Sequence, residues 1–189
     1  MGTKLTGVRN DIFQDETDYR SAISENLMSK IGQSINFIND NQLQTFNWRY
    51  LGPFLTLSTG EDGVLVFPYD LEVVGYSGHI RVAPTAGGTI LGVDIHKLNS
   101  SGVDQGTILE NNIQISTSAA NNAMFYKNTI TSTETTTTGI GGGGGGSTDL
   151  PNITTTSFSA GEGMRVDIMD AVAGHGGEDL SFNVWVRPA

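Results

Sequence analysis

From Trp48 onward the apolar residues stop recurring at helical spacing and alternate with polar ones, in short runs separated by Gly, Pro, Asn and Asp clusters. A two-residue period puts one set of side chains on each face of a strand, so every such run must bury one face against a partner layer. The final run carries the pattern most clearly: Leu180, Phe182, Val184 and Val186 alternate with Ser181, Asn183, Trp185 and Arg187. Met164, Val166 and Ile168 repeat it. Strands are expected at 50–57, 64–68, 71–76, 79–83, 90–98, 107–109, 113–116, 124–130, 153–158, 164–168 and 180–187. No helical period lies between them. The expected fold is mainly β, an antiparallel, jelly-roll-like β-sandwich over residues 50–189, with an immunoglobulin-like sandwich as the rival.

Ahead of the change in period, Ile23, Leu27, Ile31, Ile35 and Ile38 fall within an arc of roughly 120° at helical spacing. The spacing predicts an amphipathic helix over about 15–43, inside an N-terminal arm of residues 1–49. Asp15 serves as its N-cap, Asp18 favours the positive end of its dipole, and Asn39-Asp40-Asn41 stops it. Gly32, off the apolar arc, costs about 1 kcal/mol against Ala, so the helix needs a surface to pack on. The spacing of mostly four residues argues against a sustained coiled coil, and a heptad seam would bury Ser34 and Asn41. The five apolar residues are therefore the arm's partner-binding face, toward another subunit or toward the chain's own sandwich. Phe46, Trp48 and Tyr50 alternate at the junction and are read as pinning the arm.

Between Thr131 and Asn152 a Thr-rich run leads into six consecutive glycines, Gly141 to Gly146. Glycines lose the most backbone entropy on ordering, so this stretch is expected to be a flexible loop without regular structure, either a tolerated insertion or a binding element.

Composition narrows the function classes. Among 189 residues, 20 are acidic and 10 basic, for a formal net charge of −10. That balance repels phosphate backbones and anionic bilayers, and the basic residues form no run, so neither nucleic acid nor membrane is an expected partner. With no cysteine, disulfides and thiolate metal sites are ruled out. The N-terminal residues lack the apolar stretch of a secretory signal, which implies a soluble product made in a cytoplasm.

The motifs that might carry chemistry are weak. Gly141 to Thr148 lacks the Lys of a phosphate-binding loop. Gly75-Tyr76-Ser77-Gly78-His79 puts a histidine where a nucleophile elbow needs glycine, and Gly174-His175-Gly176-Gly177 has no nucleophile to serve. Asp94 and His96, two apart on an expected strand, share a face and could supply two metal ligands, but no third stands at readable spacing. Glu162, Asp167, Asp170, Glu178 and Asp179 could surround a Ca²⁺ only if the fold gathered them; no EF-hand spacing supports it. No enzyme, cofactor or metal is therefore expected. Trp185 falls on the polar register of the final strand and must face outward, so it and Tyr126 are candidate contacts for a subunit or a glycan.

The segments Ile35-Asn36-Phe37-Ile38-Asn39-Asp40-Asn41-Gln42, Phe46-Asn47 and Asp62-Gly63-Val64-Leu65-Val66-Phe67-Pro68-Tyr69-Asp70-Leu71-Glu72-Val73 together resemble tailed-bacteriophage virion proteins, particularly capsid decoration (cement) and fibre-type proteins. Val93-Asp94-Ile95-His96, the turn at Ser100-Ser101-Gly102, the stretch Ala160 to Asp167 and Val186-Arg187-Pro188 are similar too. The polyglycine insertion departs from that pattern. The resemblance implies a trimeric β-sandwich that attaches to a viral shell or tail through its N-terminal arm. It implies major capsid protein or other virion subunits as partners, the virion as location, and no catalytic residues. Three functions follow as expectations: a cement protein on a phage capsid, a tail-fibre or baseplate domain binding a host glycan, and last a polysaccharide hydrolase.

Overall fold

The computed structural model describes residues 29–30, 43–53, 63–85, 90–142, 149–169 and 177–189. The chain divides into two compact units, Met1–Gln42 and Leu43–Ala189. In the first, Ser29 and Lys30 are helical. The rest of the expected arm helix, including Ile23, Leu27, Ile31, Ile35 and Ile38, lies outside the described residues.

The second unit is the expected sandwich of two antiparallel sheets. Its twelve described strands are β1 (Gln44–Pro53), β2 (Leu65–Val66), β3 (Leu71–Val82), β4 (Ile90–Leu98), β5 (Asp104–Thr107), β6 (Ile113–Ser116), β7 (Ala123–Asn128), β8 (Thr133–Thr136), β9 (Ile140–Gly142), β10 (Ser157–Phe158), β11 (Gly163–Met169) and β12 (Glu178–Pro188). The first sheet runs β1-β12-β3-β7-β8, with β10 also on β3; the second runs β2-β11-β4-β6-β9, with β5 also on β4. Successive strands cross repeatedly from one sheet to the other, so the inner faces are held together by covalent connections at both ends as well as by packing.

The alternation in the sequence becomes the core. Leu180, Phe182, Val184 and Val186 of β12 are fully buried, as are Met164, Val166 and Ile168 of β11 and Leu91, Val93 and Ile95 of β4. Aromatic rings fill the middle: Tyr76 stacks on Phe182 at 6.0 Å, and Phe125 tilts against both. In a second group, Phe67 packs edge to face on Phe158 and tilted against Phe46. Each fully buried large apolar side chain contributes about 1.5–3 kcal/mol of transfer free energy. The inward polar handles are all used: the Tyr76 hydroxyl donates to the Pro151 carbonyl at 2.7 Å, the Tyr50 hydroxyl to that of Val166, and the Trp48 indole N–H to that of Gly63 at 3.0 Å. Burial, and secondarily the charge of Glu134, push the Tyr76 phenol well above its ordinary value, so it stays a neutral donor at any working pH.

Several expectations are corrected. The sandwich begins at Leu43 and β1 at Gln44, not at residue 50. Phe46, Trp48 and Tyr50, read as pinning the arm, belong to the sandwich itself. They are the inward face of β1, which pairs with β12 from Gln44↔Val186 to Tyr50↔Leu180. The candidate strands 71–76 and 79–83 are halves of one: β3 runs through Gly78, where a Cβ would lie 2.2 Å from the Phe125 ring. The Thr/Gly-rich loop over 131–152 does hold regular structure. β8 pairs with β7, where β-branched Thr suits a pleated surface, and β9 pairs with β6 through Ile140, whose side chain is buried. Residues 143–148 lie outside the described residues. Finally, β5 occupies Asp104–Thr107 instead of 107–109, and Leu109 forms an isolated bridge with Ile153.

The Gly78 site makes a direct test of the packing. Phe125 is sealed between Tyr76 and Phe182 and has nowhere to retreat, so Gly78→Ala should cost about 1–3 kcal/mol by overpacking. Phe182→Ala should cost about 3–5 kcal/mol by opening a cavity. Urea denaturation midpoints measure both. A Gly78→Ala protein as stable as the parent would contradict this account of the strand.

Candidate functional site

The largest concentration of charge among the described residues lies on the outer face of the second sheet. Because Val93 and Ile95 point inward on β4, Asp94 and His96 point outward, as their spacing required. On β11 the outward residues are Arg165 and Asp167, and the register sets Asp167 opposite Asp94 and Arg165 opposite His96. Asp94 and Asp167 are 6% and 2% exposed and are the buried charged residues of the described chain. Two carboxylates directly opposed across a ladder repel each other, so this arrangement persists only because each has its own partners.

Those partners are present. Arg165, two residues before Asp167 on the same face, holds both its oxygens at 3.0–3.1 Å and reaches Asp104 of β5 at 2.6 Å. Asp94 Oδ1 accepts from the Ile95 N–H at 2.7 Å and from the Thr107 hydroxyl. His96 sits among three carboxylates, its Nδ1 3.0 Å from Asp104 Oδ2 and its Nε2 3.5 and 3.6 Å from Asp94 and Asp167. Partial burial alone would raise the Asp104 carboxyl. The Gly106 N–H, the hydrogen bond and charge of His96, and the charge of Arg165 together hold it below the usual carboxylate range. Asp167, and the short-range charges of Asp104, likewise outweigh burial and raise the Arg165 guanidinium above its ordinary value, so it stays charged throughout.

The group binds three strands into one network with its hydrogen-bonding capacity turned inward. No buried side-chain polar atom of the described residues lacks a partner, and no three His, Asp or Glu side chains among them are grouped to hold a metal ion. The other acidic candidates disperse. Glu162 pairs with Lys97 at 2.6 Å, while Glu178 and Asp179 both engage Arg81 at 2.6 Å. Asp170 and the Gly174–Gly177 tip, apart from Gly177 itself, lie outside the described residues. Sequence reasoning found Asp94, His96 and Asp167 but missed Asp104, Arg165 and Thr107, since only the β4–β5 and β4–β11 registers bring them together.

The outer face of the first sheet has a different chemistry. Trp185 faces outward and is half-buried, because it lies across Gly75, its register partner, where a Cβ would come 2.8 Å from the indole. Tyr126 meets it at 5.0 Å between ring centroids, with the rings tilted by 55°. Beside them a row of uncharged groups crosses five strands in register: Asn47, Asn183, Ser77, Tyr126 and Thr135. The Asn47 amide donates to Asn183 Oδ1 at 2.8 Å, and the Asn183 amide donates to Ser77 Oγ at 3.3 Å. Ser77 and His79 thus stand in mid-strand, without the sharp turn that a nucleophile elbow requires.

The charged network on the second sheet yields two expectations. Arg165→Met leaves Asp167 buried without its cation and should destabilise the protein by about 3–5 kcal/mol, a loss that adding Asp167→Asn should largely reverse. Asp104 and Glu162 both have folded pKa values below their unfolded ones, Glu162 through Lys97 and the Ser159 N–H acting against its burial. Their contribution is therefore complete above the usual carboxylate range and lost as pH falls through the depressed values. Thermal unfolding from pH 7 down to about pH 3 should show stability dropping below about pH 4, with a smaller drop in Asp104→Asn. An identical acid profile in that variant would remove Asp104 from the account.

No protein-family model matches the chain, and no curated protein matches it. Among solved structures, the chain is similar to one of infectious bursal disease virus strain Gt, with 17% identity and a TM-score of 0.25, covering 78% of this chain and 31% of that one. Another, of infectious bursal disease virus strain Gx, shows 11% identity and a TM-score of 0.23, covering 79% of this chain and 38% of that one. The chain spans about a third of the length of these two.

Proposed function

We propose that this protein is a virion structural protein, and specifically a decoration protein that cements the outer shell of a tailed phage as a homotrimer bound to the major capsid protein. The observation that carries this reading is where the sandwich leaves apolar surface uncovered. Of the eight large hydrophobic side chains exposed among the described residues, five (Leu43, Leu51, Val64, Val66 and Tyr69) lie on or beside β1 and β2. These are the edge strands of the two sheets on one side of the sandwich, and they are joined there by the Tyr69 hydroxyl donating to Gln44 and the Trp48 indole donating to Gly63. An exposed sheet edge flanked by apolar side chains is a surface for pairing with another chain. Leu43, the first residue of this unit, is one of the five.

A protein that binds only the assembled shell stabilises it by mass action, through its binding free energy, and needs no catalytic group. A cysteine-free sandwich whose polar side chains satisfy one another suits that duty. In this reading the arm residues Ile23, Leu27, Ile31, Ile35 and Ile38 engage the shell or a neighbouring subunit, and the protein is located in the virion, after synthesis in the bacterial cytoplasm.

Removing residues 1–42 should leave a sandwich with an unchanged melting temperature that joins particles at least tenfold less well, measured by quantitative gel on purified virions. Normal decoration by the truncated protein would refute the role of the arm. A count of only a few copies per wild-type virion would move the protein from the shell to the tail.

A further inference from the structure

The geometry points to a binding cleft for a neutral oligosaccharide on the outer face of the first sheet, independent of how the protein meets a particle. A cavity of about 480 Å³ opens there, lined by Ser77, His79, Met124, Tyr126, Thr135 and Asn183 among others. That volume falls within the range of small-molecule clefts, about 300–1,000 Å³. No Asp, Glu, Lys or Arg lines it, in a chain that has 30 such residues (20 acidic and 10 basic). A cleft without charge offers nothing to a phosphate or a nucleotide. Its lining is mainly apolar, from Met124, Phe125 and Tyr126, with hydroxyl, amide and imidazole groups set among them.

That mixture suits a ligand with both apolar C–H faces and many hydroxyls, which is the chemistry of a sugar ring. Tyr126 supplies the aromatic surface, and Trp185 braces it from the side at 5.0 Å, lying flat over Gly75. Met124, 60% exposed, adds apolar area on the same strand. The hydrogen-bonding groups are already oriented: Asn183 is fixed between Asn47 and Ser77, using one amide hydrogen and one acceptor site in those bonds. Its second amide hydrogen and the Ser77 hydroxyl hydrogen are then directed at a ligand. A second cleft of about 310 Å³ shares His79 and runs past Ser181 and Asn47 toward β12 and β1, where Arg49, Arg81 and Asp179 also line it and the neutral lining ends.

The test uses the isolated full-length protein, so its outcome is separate from particle attachment. Maltotetraose, a neutral N-acetylglucosamine tetramer and a neutral galactose tetramer are titrated, followed by tryptophan emission and saturation-transfer NMR. At least one should bind saturably with a Kd on the order of 1 mM or tighter. Tyr126→Ala should weaken it at least tenfold, and Asn183→Ala about fivefold, the equivalent of one hydrogen bond. Urea midpoints confirm folding; should Tyr126→Ala unfold, Tyr126→Leu replaces it, and Thr135→Val serves as an independent second variant. No saturable binding by any of the three up to about tenfold above that Kd would overturn the inference. So would binding that survives in the folded Tyr126 variant, or binding of only the uronic-acid counterparts of these tetramers.

Discussion

The inward row of β12 is the constraint on which the rest of the sandwich depends. β12 is the strand that hydrogen-bonds to both β1 and β3 over long registers, and its Leu180, Phe182, Val184 and Val186 supply the middle of the apolar core. With no cysteine in the chain, nothing covalent closes the two sheets apart from their connections. The sheets stay face to face because this row, with Tyr76 and Phe125 of the same sheet, packs into one core with Leu91, Val93, Ile95, Met164, Val166 and Ile168 of the other, and Gly78 clears room for Phe125. A strict two-residue period is also self-correcting, since a one-residue slip would turn Leu180, Phe182, Val184 and Val186 all to the outer face.

This explains which parts of the fold were legible in the sequence. β11 and β12 could be read directly, since their alternation is local and unbroken. Strand β1 was read late because Phe46, Trp48 and Tyr50 follow closely on a helical period, and an alternating triplet by itself does not say which layer it enters. β8 and β9 were missed because Thr133-Glu134-Thr135-Thr136 and Ile140-Gly141-Gly142 contain almost no apolar alternation. Their order comes from pairing with β7 and β6 and from buried Ile140, which are non-local contributions. The Lys127–Glu134 pair at 2.9 Å, with Glu134 also accepting from the Leu150 N–H, ties β8 down in a way no local propensity encodes.

The sites follow the same rule. That Asp94 and His96 share a face is a property of one strand, and Trp185's outward direction is a property of another. Asp104, Arg165 and Thr107 join the first pair only through registers between strands, and Asn47, Asn183, Ser77, Tyr126 and Thr135 form a row only when five strands are laid side by side.

The two outer faces of the sandwich consequently differ in kind. On the second sheet, two carboxylates buried opposite one another would repel, and Arg165, His96, Thr107 and Asp104 are consumed in making that tolerable. Groups so engaged have little capacity left for a ligand, and their net effect is to fasten β5 and β11 to β4. On the first sheet the outward row from Asn47 to Thr135 is neutral, with ion pairs of Arg81 with Glu178 and Asp179 and of Arg187 with Glu72 elsewhere on β3 and β12, and Trp185 lies against the Gly75 backbone. Desolvating such a row costs far less than desolvating ion pairs, so a partner that covers it keeps more of its contact energy. The charged network that fastens β5 and β11 to β4 and the neutral row across β1, β12, β3, β7 and β8 thus lie on opposite sheets.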